Sequence, residues 1–274
     1  MVNTESNERA AKNLFDLGKI GWDDKNGLTR IAYSKEYTEA RDVLQKMMRD
    51  AGLDVRTDRV GNLFGRLEGR TERTILSGSH LDSVYGGGIY DGALGIVSAL
   101  EAITKIKESG EAPKHSLEVA AFIGEESEPL GGTFGSRVFS GSELDEYEEK
   151  KLASFGITSE DVLLSRCVRD RYSCFLELHI EQGPYLEREN ISIGIPTGIV
   201  GITRLEITVG GIANHAGTTP MDERHDAVRS AAKFISAWFD WMDTQSDLVC
   251  NVGTISVSPS HVSIVPSGVV FSLE

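Results

Sequence analysis

Residues Thr74–Ala102 read TILSGSHLDSVYGGGIYDGALGIVSALEA, and the predicted fold rests on this segment. Its apolar start predicts a buried strand, its three consecutive glycines predict a tight turn, and its end has the apolar spacing of a helix. His80 and Asp82 are two positions apart, so they share a face if the chain is still extended there. With Asp91 just before the helix, they predict a metal centre at the end of a strand. A turn residue and a helix N-cap are the structural alternative for the two aspartates.

Composition limits the classes of function that this chain can serve. Its 274 residues suffice for one large domain or two ordinary ones, and 40% hydrophobic and 26% charged residues are typical of a soluble globular protein. The net charge of −14 argues against nucleic acid or an anionic membrane as a partner, because both need a basic surface. Three cysteines without a pairing pattern, and a polar N-terminus without an apolar signal region, predict reduced thiols and a cytoplasmic location.

The order of predicted elements indicates an α/β layer followed by a smaller second domain. We predict helices at about 5–18, 37–51, 143–152 and 226–243, a hairpin at 54–67, and strands at 116–124, 174–180, 202–211, 251–257 and 269–273. The alternation of strand and helix in the first part favours parallel strands. The strand, long helix and two strands of the second part are typical of an α+β sandwich. We therefore predict domains at 1–200 and 201–274.

Three of the predicted strands end in residues that can bind a metal ion. These pairs are His80 and Asp82, Glu125 and Glu126, and His179 and Glu181. Because ligands of open α/β sheets bind at the carboxyl ends of strands, we expect these side chains to converge. Histidine and carboxylate ligands without cysteine suit Zn, Mn, Co or Ni, and a bridging carboxylate would allow two ions.

The adjacent glutamates suggest a division of labour. Glu125 and Glu126 cannot both be ligands on one strand, because neighbouring side chains point to opposite faces. One can bind the metal ion while the other reaches the water that the metal activates, which is what metal-assisted hydrolysis needs. A solvated acidic turn is the alternative for this pair taken alone, but the neighbouring histidine strands favour the functional interpretation.

Several segments together resemble a known family. They are GLTRIAYSKEYTEARDVL, AGLDVRTDRVGNLFGRLEG, SGSHLDSVYGGGIYDGALG, GEES, GSRVFSG, LELHIEQGPYLE and HAGTTPMDERHDA, and they span nearly the whole chain. The chain resembles the dinuclear zinc peptidase superfamily and, more narrowly, its amidase/hydantoinase/carbamoylase branch. This branch contains N-carbamoyl-L-amino-acid hydrolases, allantoate amidohydrolases and β-ureidopropionases. The resemblance implies a three-layer αβα catalytic domain with an inserted ferredoxin-like α+β domain that serves as lid and dimerisation surface.

The resemblance also implies roles for the metal site. His80 and His179 would each bind one of two divalent metal ions, with Asp91 bridging the two ions and Glu126 as a further ligand. Glu125 would be the general base that takes a proton from the water bridging the metals. Asp82 would orient His80.

Three further residues would contact the substrate. Gln182 would line the pocket, and Ser263 stands where the family has an asparagine. His215, on the second domain, would reach into the site of a partner subunit in a homodimer and stabilise the oxyanion.

The implied function is the metal-dependent hydrolysis of a linear C–N bond in a small N-carbamoyl or ureido substrate. An N-carbamoyl-L-amino-acid hydrolase is the leading hypothesis and an allantoate amidohydrolase is the alternative. An aminoacylase or dipeptidase of the same superfamily, or an inactive relative that acts only as a dimerising subunit, are further alternatives. In the family, a last histidine ligand and a substrate-binding arginine lie downstream of the position of Glu274, so we expect the chain to be a truncated product or half of a split gene.

Overall fold

The computed structural model describes residues 4–126 and 129–274, and the chain divides into two compact units. The first unit ends at Ser192 and the second comprises Ile193–Glu274. The boundary predicted from the sequence falls slightly further along the same stretch, which has neither helix nor strand over residues 191–204. None of the described helices is long and apolar enough to cross a membrane.

The first unit is built from helices and strands that alternate along the chain. The helices are α1 (Thr4–Gly18), α2 (Lys35–Asp50), α3 (Ala93–Glu108), α4 (Phe134–Ser140), α5 (Glu146–Ser154), α6 (Ser159–Leu164) and α7 (Tyr185–Arg188). The strands are β1 (Trp22–Asp23), β2 (Gly27–Leu28), β3 (Asp54–Thr57), β4 (Leu63–Leu67), β5 (Thr71–His80), β6 (His115–Phe122) and β7 (Tyr172–Leu176). This alternation confirms the predicted α/β class.

A mixed sheet with the order β3-β4-β6-β5-β7 forms the centre of this unit. The strands β6, β5 and β7 are parallel, as predicted, and the β3–β4 hairpin adds two antiparallel strands beside β6. Since β5, β6 and β7 run in one direction, the residues that follow them emerge at the same edge of the sheet. That edge carries the predicted site.

Both faces of the sheet are apolar, but they are covered to different extents. Helices α1, α2 and α3 bury the larger cluster, which includes Leu17, Leu44 and Ile96. On the other face a smaller cluster holds Phe64, Leu76, Ala120 and Phe122 against Phe139 of α4. Because helices cover both faces, consecutive residues at the ends of β5 and β6 are buried instead of alternating with exposed ones.

Gly92 fixes the start of α3 next to the end of β5. It is the N-cap residue of α3 and has a φ of +61°. A Cβ atom at this position would lie 2.3 Å from the carbonyl oxygen of His80, so only glycine fits. Asp91 is therefore not the N-cap that the structural alternative required, and its carboxylate is free to take part in a site.

The second unit is an antiparallel sheet with a helix packed on one face. Its elements are β8 (Leu205–Gly210), β9 (Asn214–His215), α8 (Ala227–Met242), β10 (Ile255–Ser258), β11 (Ile264–Val265) and β12 (Gly268–Leu273). The sheet has the order β10-β12-β8, and β9 pairs with β11 separately. Ala227 and Ala231 of α8 pack against Val269 and Phe271 of β12 in a core of their own. The order of strand, helix, strand and strand is the one predicted.

One difference between prediction and structure affects the site. The strand predicted over 174–180 ends at Leu176, so His179 lies on the loop that follows the strand. The reason is a crossing at the start of α3, where the carbonyl oxygen of Leu178 would lie 2.4 Å from a Cβ atom at Gly95. Approaching α3 this closely takes the chain away from β5, whose pairing with β7 stops at Ser77. Smaller differences lie at the ends of α5, β8 and β10, which begin later than predicted.

Candidate metal centre

Two histidines face each other at the carboxyl edge of the sheet. His80, the last residue of β5, is 2% exposed, and its Nε2 lies 3.5 Å from Nε2 of His179. Each ring has its Nδ1 atom 2.9 Å from a main-chain carbonyl oxygen, that of Asp82 for His80 and that of Ile180 for His179. A neutral imidazole that donates through Nδ1 presents an unprotonated Nε2, which is the form that binds a metal ion.

The carboxylate of Asp91 completes this cluster. Its Oδ1 atom lies 3.2 Å from Nε2 of His179 and 3.6 Å from Nε2 of His80. Oδ1 is buried and has no hydrogen-bond partner among the described residues, whereas Oδ2 accepts a hydrogen bond of 2.9 Å from the side-chain amide of Gln182. Leaving a buried carboxylate oxygen without a partner is costly, and a cation held between these three atoms would satisfy it. The donor set therefore fits a metal ion.

A second group of possible ligands adjoins the first. Ligand atoms of His80, Glu125 and Glu126 lie within 4.8 Å of one another, as do those of His80, Asp91 and His179. Glu125 Oε2 is 3.9 Å from His80 Nε2. His80 belongs to both groups, so the described residues offer two adjacent ligand sets that share this imidazole.

Asp82 holds the loop that carries both glutamates. Its carboxylate accepts hydrogen bonds from the main-chain N–H groups of Gly124 at 2.9 Å, Glu125 at 3.3 Å and Glu126 at 3.0 Å. His80 therefore bonds to the main-chain oxygen of Asp82, while the carboxylate that was expected to orient His80 is turned toward this loop. A single buried residue thus contacts His80 and holds the loop that carries Glu125 and Glu126.

Burial and neighbouring charges set the protonation of the cluster. Burial lowers the pKa of His80, but the nearby carboxylates of Asp91, Asp82 and Glu125 raise it to about 9. The proximity of His80 lowers the pKa of Asp91. Burial raises the pKa values of Glu125 and Glu126, which brings Glu125 nearer to the range in which a carboxylate is an effective general base.

Two predicted site residues lie in the second unit. His215 is on β9 opposite Ile264 of β11, and Ser263 precedes Ile264. The main-chain oxygen of Ser263 accepts a hydrogen bond of 2.9 Å from the N–H of Ala216, so Ser263 and His215 are neighbours within this unit. The structure thus gathers His80, Asp82, Asp91, Glu125, Glu126, His179 and Gln182 in the first unit and His215 with Ser263 in the second.

The buried Arg30 is a residue of this region that the sequence did not reveal. It is 0% exposed, and its guanidinium donates to the main-chain oxygens of Leu81 at 2.7 Å and Leu17 at 2.9 Å. The main-chain N–H of Arg30 donates to the hydroxyl of Ser83 at 2.9 Å. Arg30 therefore supports the turn between His80 and the glycines. It stands in a mixed polar stretch, where nothing in the pattern indicates burial.

Comparison with known proteins gives this geometry a family. The sequence model of peptidase family M28 matches residues 62–157. An N-carbamoyl-L-amino-acid amidohydrolase of Pseudomonas sp. (strain NS671) is 37% identical over 99% of this chain and 70% of its own length. An allantoate amidohydrolase of Bacillus subtilis (strain 168) is 35% identical over 94% of this chain and 66% of its own length.

Solved structures agree with the sequence relatives. The crystal structure of a hydantoinase/carbamoylase family amidase from Burkholderia ambifaria superimposes with a TM-score of 0.80 and 30% identity, over 97% of this chain and 68% of that one. The chain therefore belongs to the hydantoinase/carbamoylase family of amidases. The resemblance inferred from the sequence motifs is confirmed.

Proposed function

We propose that this chain is a metal-dependent amidohydrolase that cleaves the linear C–N bond of an N-carbamoyl-L-amino acid. The observation that carries the proposal is the buried Oδ1 of Asp91, which has no hydrogen-bond partner among the described residues and lies beside Nε2 of His80 and of His179. Glu125 lies at the edge of the same cluster. The relative of highest identity quoted above is named for hydrolysis of this substrate class.

The proposed metal site uses two divalent ions, which are Zn, Mn, Co or Ni. His80 and His179 would each hold one ion, and Asp91 and Glu126 would be further ligands. When bound, the ions would act as Lewis acids that lower the pKa of water and polarise the carbamoyl oxygen. Asp82 would keep the ligand His80 and the loop of Glu125 and Glu126 at a fixed separation.

The proposed chemistry assigns the proton transfers to Glu125. Its carboxylate would take a proton from the attacking water while the water oxygen bonds to the carbamoyl carbon. Glu125 would then give that proton to the amino-acid nitrogen as the C–N bond breaks. The amino acid leaves, and the carbamic acid that remains decomposes to ammonia and CO2.

The substrate contacts remain proposals that draw on the family resemblance. Gln182, whose amide lies on Asp91, would border the substrate pocket. His215 would donate a hydrogen bond to the oxyanion, and Ser263 would lie beside it at the substrate. Cleavage would occur in the cytoplasm, which is consistent with the three free cysteines.

A homodimer formed through the second unit is part of the proposal. Helix α8 exposes aromatic side chains on one side, with Phe234 at 43% and Trp241 at 48% exposure on either side of Trp238. Exposed aromatic residues grouped on one helix face are typical of protein interfaces. In such a dimer, His215 of one subunit would serve the metal centre of the other.

Allantoate hydrolysis is the second candidate. The allantoate amidohydrolase of Bacillus subtilis is 35% identical, close to the 37% of the N-carbamoyl-L-amino-acid amidohydrolase. Both substrates present a ureido carbon to the same attack, so the residues of the metal centre do not distinguish them.

Turnover by the purified 274-residue chain tests the proposal. The chain would be loaded with Zn²⁺, Mn²⁺, Co²⁺ or Ni²⁺ and assayed for ammonia release from N-carbamoyl-L-amino acids and from allantoate. We expect release from one of the two, lost on Glu125→Gln and retained in the control Glu160→Gln, which changes an exposed glutamate on α6. Turnover unaffected by Glu125→Gln would contradict the assigned base. An intact dimer that binds metal but has no turnover would favour a subunit without activity.

A further inference from the structure

In the turn after β9, a main-chain N–H donates to the ring of an exposed histidine. The Nδ1 atom of His215 accepts a hydrogen bond of 3.2 Å from the main-chain N–H of Gly217. A Cβ atom at Gly217 would lie 3.2 Å from Cε1 of the same ring, so the imidazole packs directly on this glycine. A neutral imidazole has one N–H group, and when Nδ1 is an acceptor the proton is on Nε2.

The main chain of His215 is fixed just as firmly. Its carbonyl oxygen accepts hydrogen bonds from the N–H of Thr219 at 3.1 Å and from the hydroxyl of Thr219 at 2.8 Å. The next residue, Ala216, donates its N–H to the oxygen of Ser263 at 2.9 Å, which ties the turn to β11. The exposed side chain of His215 thus projects from a turn whose main chain is held by several hydrogen bonds.

Arg224 ties the two ends of this turn together. Its Nη2 donates to the carbonyl oxygen of Ala216, and its Nε donates to the carbonyl oxygen of Thr219 at 3.0 Å. Arg224 is half-buried. Hydrogen bonds from a charged donor are stronger than neutral ones, so this bridge sets the distance between Ala216 and Thr219 and with it the position of Gly217.

We infer that Arg224 is a positioning residue that holds His215 as the Nε2–H tautomer, ready to donate a hydrogen bond to an oxyanion. The inference rests on the proposed function and deepens it, because it assigns the donor atom and the residue that supports it. An oxyanion is stabilised best by a donor whose orientation is fixed before the reaction. The turn satisfies this requirement, since Nδ1 accepts from Gly217 and the described residues give Nε2 no hydrogen-bond partner.

The tautomer can be measured without turnover. Long-range proton–nitrogen NMR spectra of the full chain, with histidine ring nitrogens labelled, distinguish a protonated from an unprotonated ring nitrogen. There are six histidines, and His215 would be assigned by its loss in His215→Gln. We expect an unprotonated Nδ1 and a protonated Nε2 in the wild type. In Arg224→Met we expect a mixture of tautomers, and in Arg224→Lys a spectrum closer to the wild type.

Steady-state kinetics distinguish a positioning role of Arg224 from a role in folding. In a chain that turns over, Arg224→Met should lower kcat about tenfold, with KM within about twofold, because a donor that acts on the transition state contributes to kcat. Arg229→Met, an exposed arginine of α8, is the matched control and should change neither the tautomer nor kcat. If Arg224→Met does not fold, Arg224→Lys and Gly217→Ala carry the same test, since Gly217→Ala displaces the ring.

Two results would overturn the inference. A wild-type His215 protonated on Nδ1, or a tautomer unchanged in folded Arg224→Met and Gly217→Ala, would show that the turn does not select the donor. A wild type without turnover but with the expected tautomer would contradict the proposed function and leave the assignment of the donor atom standing.

Discussion

The carboxylate of Asp82 accepts a hydrogen bond of 3.0 Å from the main-chain N–H of Glu126. The main-chain oxygen of the same aspartate lies 2.9 Å from Nδ1 of His80. The end of β5 and the loop after β6 are therefore joined through one buried residue, which is 1% exposed. A substitution of Asp82 should therefore disturb both His80 at the end of β5 and the loop that carries Glu125 and Glu126.

Replacing Asp82 by asparagine should weaken metal binding more than it weakens the fold. Asparagine keeps the main-chain contact to His80 but accepts fewer hydrogen bonds from the loop, so Glu125 and Glu126 lose their fixed position. We expect metal affinity to fall about 10–100-fold, the usual effect of removing a group that supports ligands. Competition with a chromophoric chelator measures the affinity. Asp145→Asn, which changes the N-cap of α5, is the control, and an equal loss in both variants would contradict the prediction.

Metal binding should release a proton over the neutral pH range. The pKa of His80 is raised to about 9, so the metal-free site keeps this proton at neutral pH and a ligand must lose it. The apparent affinity for Mn²⁺ should rise about tenfold per pH unit between pH 6 and 8. Calorimetry in buffers of different ionisation enthalpy counts the protons released. Affinity that is independent of pH over this range would contradict the assignment of His80 as a ligand.

Gly92→Ala should disrupt the metal centre, whereas Gly110→Ala should not. Both glycines have positive φ, +61° and +76°, so alanine is strained at either position, and the ψ of −50° at Gly92 lies outside the left-handed helical region that alanine can reach. Only at Gly92 does the new Cβ atom meet a neighbour, the carbonyl oxygen of His80 at 2.3 Å, while no atom lies within 4 Å at Gly110. Unfolding and metal titration of the two variants compare strain alone with strain plus a clash. Equal behaviour would contradict the close approach.

Asp58 should make the fold less stable as the pH rises from 4 to 7. Burial raises the pKa of Asp58 to about 6. Hydrogen bonds from the main-chain N–H groups of Val60, Gly61 and Asn62 act in the opposite direction but are outweighed. An acid with a higher pKa in the folded state binds its proton more tightly there, so its stabilising contribution is full below pH ~4 and is lost as the pH rises through 6.

Denaturant unfolding of the wild type and Asp58→Asn at several pH values measures this contribution. The difference in free energy of unfolding should change by up to about 3 kcal/mol between pH 4 and 7. Asp161→Asn is the control of opposite sign, because the hydrogen bond from Thr158 lowers the pKa of Asp161. A difference that does not depend on pH would contradict the raised pKa of Asp58.

The sequence was sufficient to predict that the site gathers at one edge of the sheet. His80 ends a strand, and Glu125 and His179 follow strands. Strands with a helical or long connection between them run parallel, so their ends meet. The second domain, with its order of strand, helix, strand and strand, was inferred in the same way from the change in sequence pattern after residue 200. These inferences depend only on periodicity and on where each apolar run stops.

The details of the site could not be predicted, because they depend on the path of the loops. That His80 bonds to the main chain of Asp82 depends on the turn after β5, and that His179 lies beside His80 depends on the crossing of Leu178 over Gly95. The burial of Arg30 depends on carbonyl groups at the end of α1, just after α1 and just after β5. The roles of the individual site residues remain predictions that the experiments above test.

The two imidazoles that meet at Asp91 are 99 positions apart along the chain. Bringing them together requires β7 to add to β5 at the margin of the sheet, and contacts between such distant segments are among the slower steps of folding. A refolding chain would therefore acquire its cation pocket only after this last strand has docked. The uptake of a coloured ion such as Co²⁺ during refolding would mark the completion of the first unit and not its initial collapse.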